Sequence, residues 1–432
     1  MWFRKDRSAT IGFFAAGLGG LILALGGAAY SWDGAFFLEE IINRGVPFAP
    51  QHRWSDYVWE APTWGAIRLT DNAAVAQWTF RVSTGVLPLT ALVASWLIVR
   101  RRRPDLIVWP IIGICGCSLP GEWFSVAEGI IAIQFAWPLF LAIAVGLEGW
   151  TEIVAAVLAV FIFFTHPFAF PIFVGGACAL LAGQSFKRLP PSPRWRWWVG
   201  ALLAAGIVRR LLLASSEQGY TRLSWLRQST VESMYHLPLL AMAVLLVAAI
   251  TMCFPRTRPV LPAALISCST LMLCVHFLHV SHWALALSYR LPVLFVTAPF
   301  VLLMFVAAAM APVRPTVTAA VSAATGTMFV AVLLVQAFAW HHVLTDVRSA
   351  TRSGASCKTL AGVDKGRGTP ITHWATSYLA ILAQGRHPSR FLTGSVAACR
   401  AFDRTGRLYL RPWDPSFAEP SGYYRLSPRA RR

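Results

Sequence analysis

Five of the chain's 19 acidic residues fall in YSWDGAFFLEEIINRGVPFAPQHRWSDYVWEAP, from Tyr30 to Pro62: Asp33, Glu39, Glu40, Asp56 and Glu60. Carboxylates grouped in this way can activate a hydroxyl as general base or hold a divalent cation, magnesium or manganese, the two tasks an acid performs when a sugar is moved. Asp33 stands just after the apolar run from Ile11 to Tyr30, so it sits at an interface if that run crosses a bilayer, where a carboxylate is costlier than in water. Two readings of its surroundings are open. Asp33 could cap a short helix, GAFFLEEIINR, that carries Glu39 and Glu40 on its wet face. Alternatively that helix, amphipathic and too short to span, lies in the interface with its acids aimed at a cleft. Trp54, Trp59, Trp64 and Tyr57 suit an interfacial aromatic belt and equally suit stacking on sugar rings. Asp56 and Glu60 become the better candidates if Asp33 proves dispensable.

Basic residues supply the complementary chemistry. His166, in FFTHPFAFPIF, is expected at an external turn, either as a wet residue beside a helix-breaking proline or as a donor to phosphate oxygens. Arg209 and Arg210 stand about 12 residues, or roughly 18 Å, into an apolar helix, too deep to reach water comfortably. They require either an ion pair, with Glu122, Glu128 or Glu217, or a cavity that receives a lipid phosphate. Arg222, Arg227, His279, His282 and Arg290 follow in later loops and add donors on the same side.

The elements that must hold these groups are membrane helices. The chain is 56% hydrophobic and 13% charged, with a mean hydropathy of +0.56, which excludes an ordinary soluble domain. Mainly apolar segments long enough to cross a bilayer recur about eleven times. They centre on 11–30, 79–99, 105–119, 125–147, 150–165, 167–183, 197–216, 236–254, 259–280, 291–311 and 316–340. The net charge of +19 comes mostly from short clusters between these segments, so topology rather than nucleic acid explains it. The first segment reads as a retained signal anchor. MWFRKDR, RRRRP at 100–104, KRLPPSPRWR at 187–196, PRTRP at 255–259 and PVRP at 312–315 then share the cytoplasmic side. The other side receives a large first loop, 31–78, and everything after Trp340.

The chain therefore divides into a membrane domain, 1–340, and a C-terminal extracytoplasmic segment, 341–432, of small mixed α/β character. The latter holds 15 basic and 5 acidic residues, against the charge rule, but long translocated segments obey that rule poorly. Its two cysteines, Cys357 and Cys399, are either a disulfide or two free thiols, and an oxidising compartment suits the former. The other six cysteines lie in apolar segments, without metal-ligand spacing, and read as small buried hydrophobes. ITHWATSYLAILAQG is expected to be helical and GRLYLRPW a short strand.

An aspartate just after the first span (Asp33), an amphipathic helix and G-x-P following it, a long first external loop, an external His166-Pro167 turn, many spans and an extracytoplasmic tail together resemble the GT-C superfamily of integral-membrane glycosyltransferases. That resemblance implies transfer of a sugar from a polyprenyl-phosphate donor to a lipid, glycan or protein acceptor on the extracytoplasmic face of a membrane, the bacterial inner membrane being the expected one. It implies Asp33 as base, with Glu39 and Glu40 beside it, and His166, Arg209, Arg210, Arg222 and Arg290 around the carrier phosphate. The sequence departs from the commoner pattern in having Asp-Gly where Asp-Glu follows the first span. A polymerase or ligase of lipid-linked polysaccharide, or a non-enzymatic transporter, is the alternative.

Overall fold

The computed structural model describes residues 7–30, 33–49, 53–115, 128–166, 169–185, 189–190, 192–216, 315–352, 357–359, 375–384 and 391–393, with single positions at 386, 399, 400 and 424. The segments expected at 236–254, 259–280 and 291–311, the candidates Arg222 and Arg290, and the strand expected at GRLYLRPW lie outside the described residues.

The described residues are mostly helical: α1 (Arg7–Gly26), α2 (Asp33–Arg44), α3 (Asp56–Thr70), α4 (Ala73–Gly85), α5 (Leu87–Val99), α6 (Val108–Cys115), α7 (Glu128–Val145), α8 (Trp150–Phe163), α9 (Phe170–Ser185), α10 (Trp195–Ser216) and α11 (Pro315–Arg352). Three stretches are long and apolar enough to cross a membrane: α1, the combined α4–α5 from Ala73 to Val99, and α7. The second begins at Ala73 rather than near residue 79 because Asn72 caps it, accepting from the amides of Ala74 and Val75 at 2.9 and 3.4 Å. Asp71 makes the reversal from α3, with a left-handed φ of 45° and its amide bonded to the Ile67 carbonyl. Helix α11 also outruns expectation and continues past Trp340 to Arg352.

Small residues let the helices approach where lipid provides no hydrophobic drive. A Cβ on Gly20 of α1 would lie 2.4 Å from the Gly85 carbonyl oxygen of α4, so two backbones meet there. Arg81 reinforces this crossing by donating to the Ala24 and Leu25 carbonyls at 2.6 and 2.5 Å, which satisfies acceptors at the C-terminus of α1. Helix α11 runs parallel to α1: Ser8 Oγ donates to Thr318 Oγ1 at 3.0 Å near one end, and Trp340 Nε1 donates to the Gly27 carbonyl at 2.9 Å near the other.

These contacts sort the loops by end. Helix α5 is antiparallel to α1, with the Phe13 and Trp96 rings 6.4 Å apart, so Arg100–Arg103 emerge beside the start of α1. Arg102 donates to the Val145 carbonyl at the end of α7, at 2.9 Å, and Gly146 abuts Pro190. Arg194 pairs with Glu152 at 3.1 Å. Arg7, Arg100–Arg103, Arg194 and Arg196 therefore share one end of the bundle with the start of α11.

The opposite end carries the acid-rich loop and the described part of the tail. Strands β1 (Cys357–Thr359) and β2 (Phe391–Thr393) pair in parallel, and Cys357 is disulfide-bonded to Cys399. Helix α12 (Ala375–Leu382) covers α2, its Tyr378 ring 5.1 Å from Phe36, while the Tyr424 amide donates to Asn43. Of the cysteines expected to be buried, Cys115 is buried but Cys178 is exposed on α9. A small apolar side chain costs nothing on a helix face turned to lipid.

Packing within the bundle is tight enough to test. A Cβ on Gly113 of α6 would overlap the Trp137 indole, 1.8 Å from its nearest ring atom. Gly113→Ala is therefore expected to lower stability by about 1–3 kcal/mol, as overpacking does. Thermal unfolding of the purified protein in detergent checks this; an unchanged midpoint would show that the indole moves at no cost.

Candidate active site

Helix α3 has an unusual stripe. Asp56, Trp59, Glu60, Thr63 and Ile67 stand at i, i+3, i+4, i+7 and i+11, and all are buried. Two acids therefore occupy the face that a soluble helix would fill with aliphatic residues. The helix is docked by its N-terminus: the Ser55 amide donates to the Phe164 carbonyl at 3.3 Å, Ser55 Oγ to that of Phe161 at 2.5 Å, and Trp54 stacks on Phe164 with ring centroids 4.7 Å apart.

This docking brings α3 against the start of α7. Arg53 forms a buried ion pair with Glu128, whose side chain is wholly enclosed. Trp59 Nε1 donates to Asp56 Oδ1 at 3.0 Å, and the Phe48 amide donates to Glu60 Oε2 at 2.7 Å. The remaining oxygens, Asp56 Oδ2, Glu60 Oε1 and Glu128 Oε2, are buried and have no hydrogen-bond partner among the described residues. Burial raises the pKa of Asp56 well above the usual carboxylate range, and the charges of Glu128 and Glu60 push it further, against the lowering effect of Arg53 and Trp59. Glu60 is raised by burial and by Glu128, opposed by the Phe48 amide. Three carboxyl groups face one guanidinium, so a neutral cluster is reached when Asp56 and Glu60 keep their protons.

His166 and Arg209 adjoin this cluster. His166 is buried rather than wet, with its ring atoms 4.0 Å from the Cβ position of Gly129, the residue after Glu128. Arg209 is also buried; its Nε donates to the His166 carbonyl at 3.3 Å and its guanidinium lies over the Phe163 ring. Glu128, considered above as a partner for Arg209, is instead the partner of Arg53. Arg210 is half-buried over the Phe170 ring.

The acids of α2 do not behave as a wet face. Glu39 and Glu40 are both buried, the latter bonded to Arg44 at 2.6 Å, because α12 and α3 cover the helix from outside. Asp33 opens α2 one turn before Phe37, whose ring meets Trp59 edge-on at 5.6 Å, and Trp59 is the residue that holds Asp56. The start of α2 and the α3 stripe thus belong to one neighbourhood. Among the described residues no three His, Cys, Asp or Glu side chains are grouped as a metal site.

Sequence reasoning missed Arg53 and gave Glu128 only a structural role. Their partnership spans 75 positions and leaves no local spacing. The periodicity of Asp56, Trp59, Glu60 and Thr63 was the available signal. No protein-family model matches this chain, and neither a curated protein nor a solved structure matches it significantly.

Proposed function

We propose that the protein is an integral-membrane glycosyltransferase that moves a sugar from a polyprenyl-phosphate donor to a lipid, glycan or protein acceptor on the extracytoplasmic face, with eleven spans and the basic loops in the cytoplasm. The observation that carries this reading is the enclosed group of Asp56, Glu60, Glu128 and Arg53 beside His166 and Arg209, at the end of the bundle away from the basic loops. Sugar transfer from a phosphate needs a base for the acceptor hydroxyl and cations for the departing phosphate, and these residues supply both classes. A carboxylate whose pKa is raised is a stronger base, once ionised, than an ordinary one. Asp33 is the proposed base by resemblance, with Asp56 and Glu60 as a neighbouring proton store; Arg209 and His166 are the proposed phosphate side of the site.

The test is a comparison of lipid-linked sugars and envelope glycans in cells with and without the protein, followed by transfer assays on membranes. Arg209→Ala combined with Arg210→Ala should weaken use of the lipid-phosphate donor by about 1.5–3 kcal/mol, seen as a raised KM for donor, with membrane yield measured in parallel. Unchanged activity at normal yield would reassign both arginines to structure.

The same buried, protonatable carboxyls around one arginine favour a second reading, a proton-coupled transporter. Substrate-dependent proton uptake by proteoliposomes, without any change in glycans, would establish it over the first.

A further inference from the structure

The outward face of α3 is as informative as the inward one. Tyr57, Val58, Ala61, Pro62, Trp64 and Leu69 are exposed, Val58 at 65% and Leu69 at 87%. The helix is amphipathic in the reverse of the soluble sense: its carboxylates point into the protein and its aliphatic and aromatic residues point out. Its exposed charge, Arg68, is basic.

The N-terminal end of this face runs into an apolar stripe on α8, and the C-terminal end leads toward one on α4–α5. At the N-terminal end, Trp54 stacks on Phe164, which directly follows α8; the exposed residues of that helix, Trp150, Ile153, Val157 and Val160, form one stripe. At the C-terminal end, Leu69 is followed by the exposed polar reversal Thr70-Asp71-Asn72, where Arg386 lies 3.5 Å from Asp71, and then by exposed Val75, Trp78 and Val82 on the membrane-crossing α4–α5. A surface that is apolar at its centre, continuous at its N-terminal edge with the α8 stripe and separated from the α4–α5 stripe only by a short polar reversal belongs to the same medium.

We propose that α3 lies in the headgroup region of the bilayer, with Tyr57, Val58, Trp64 and Leu69 against phospholipid and the Asp56–Glu60 face against the protein. Acyl chains and the glycerol region cover the aliphatic residues, the tryptophans sit at the depth that indoles prefer, and Arg68 meets lipid phosphate. The helix thereby forms a wall between bilayer and acid cluster, and its position is independent of the reaction catalysed.

The full-length protein, carrying p-benzoylphenylalanine in place of Val58, Leu69 or Ile153 in separate preparations, is reconstituted into nanodiscs of phosphatidylethanolamine and phosphatidylglycerol and irradiated. Intact-mass measurement reads the adduct. Phospholipid adducts at Val58 and Leu69, comparable to those at Ile153, are expected. Adducts at Ile153 alone would overturn the proposal, as would cross-links from Val58 or Leu69 to a second copy of the chain or to another part of the same chain. Failure at all three positions would overturn it too, because the continuity with α8 would then be with something other than lipid.

Discussion

Asp33→Asn is expected to lower sugar transfer by about 10² or more while leaving membrane insertion unchanged, in the range that general-base catalysis contributes. The substitution keeps size and most hydrogen-bonding capacity and removes the base. Asp33 begins α2, and one turn later Phe37 meets Trp59, the residue that donates to Asp56 on α3. Glu39→Gln and Glu40→Gln should cost less, since Glu40 is bound to Arg44 and both are enclosed under α12 and α3. Complementation of a deletion, with transfer assayed on membranes from the same cells, is the measurement. If the Asp33→Asn variant works as well as the parent while Asp56→Asn or Glu60→Gln does not, the base is on α3.

Arg53→Ala should be the most destabilising single change in the site, by about 3–5 kcal/mol, because it leaves Glu128 buried without its cation and removes the charge that offsets Asp56. Replacing both partners, Arg53→Met with Glu128→Leu, should cost clearly less, since no uncompensated charge stays behind. Asp56→Asn and Glu60→Gln should be mild, because the native carboxyls already favour the protonated form. The pH dependence follows from the same shifts. Both pKa values are raised in the folded protein, so this contribution to stability is fully present below the unfolded carboxylate pKa of about 4 and is lost as pH rises through the folded values. The Asn and Gln variants should therefore flatten the fall in Tm from acidic toward neutral pH. Thermal unfolding in detergent across that range reads all of these, and an Arg53→Ala midpoint equal to the parent's would show that the pair contributes nothing.

Much of the architecture was legible because the relevant physics is local. The length and apolarity of Arg7–Gly26 and Glu128–Val145 mark membrane helices whatever they pack against. Clustering of Lys and Arg between such segments predicted a shared end, and the contacts of Arg102 with Val145 and Arg194 with Glu152 bring those described loops together. The reversal at Thr70-Asp71-Asn72 was written in its residue types, although hydropathy alone shifted the helix start to near residue 79.

What the sequence by itself determined, then, was a polytopic helical membrane chain with its acids concentrated after the first span, since hydropathy and charge are sums over neighbouring residues. Only the tertiary structure decided which acids are enclosed and what they face. Arg53 and Glu128 meet across 75 positions, and Glu39 and Glu40 are buried by the distant helix Ala375–Leu382. For α3, periodicity defines two faces but not which turns inward. In water the apolar face would pack and the acids would be wet; the structure instead turns Asp56 and Glu60 inward beside Arg53 and Glu128, the inversion expected where the outer face meets lipid as proposed above.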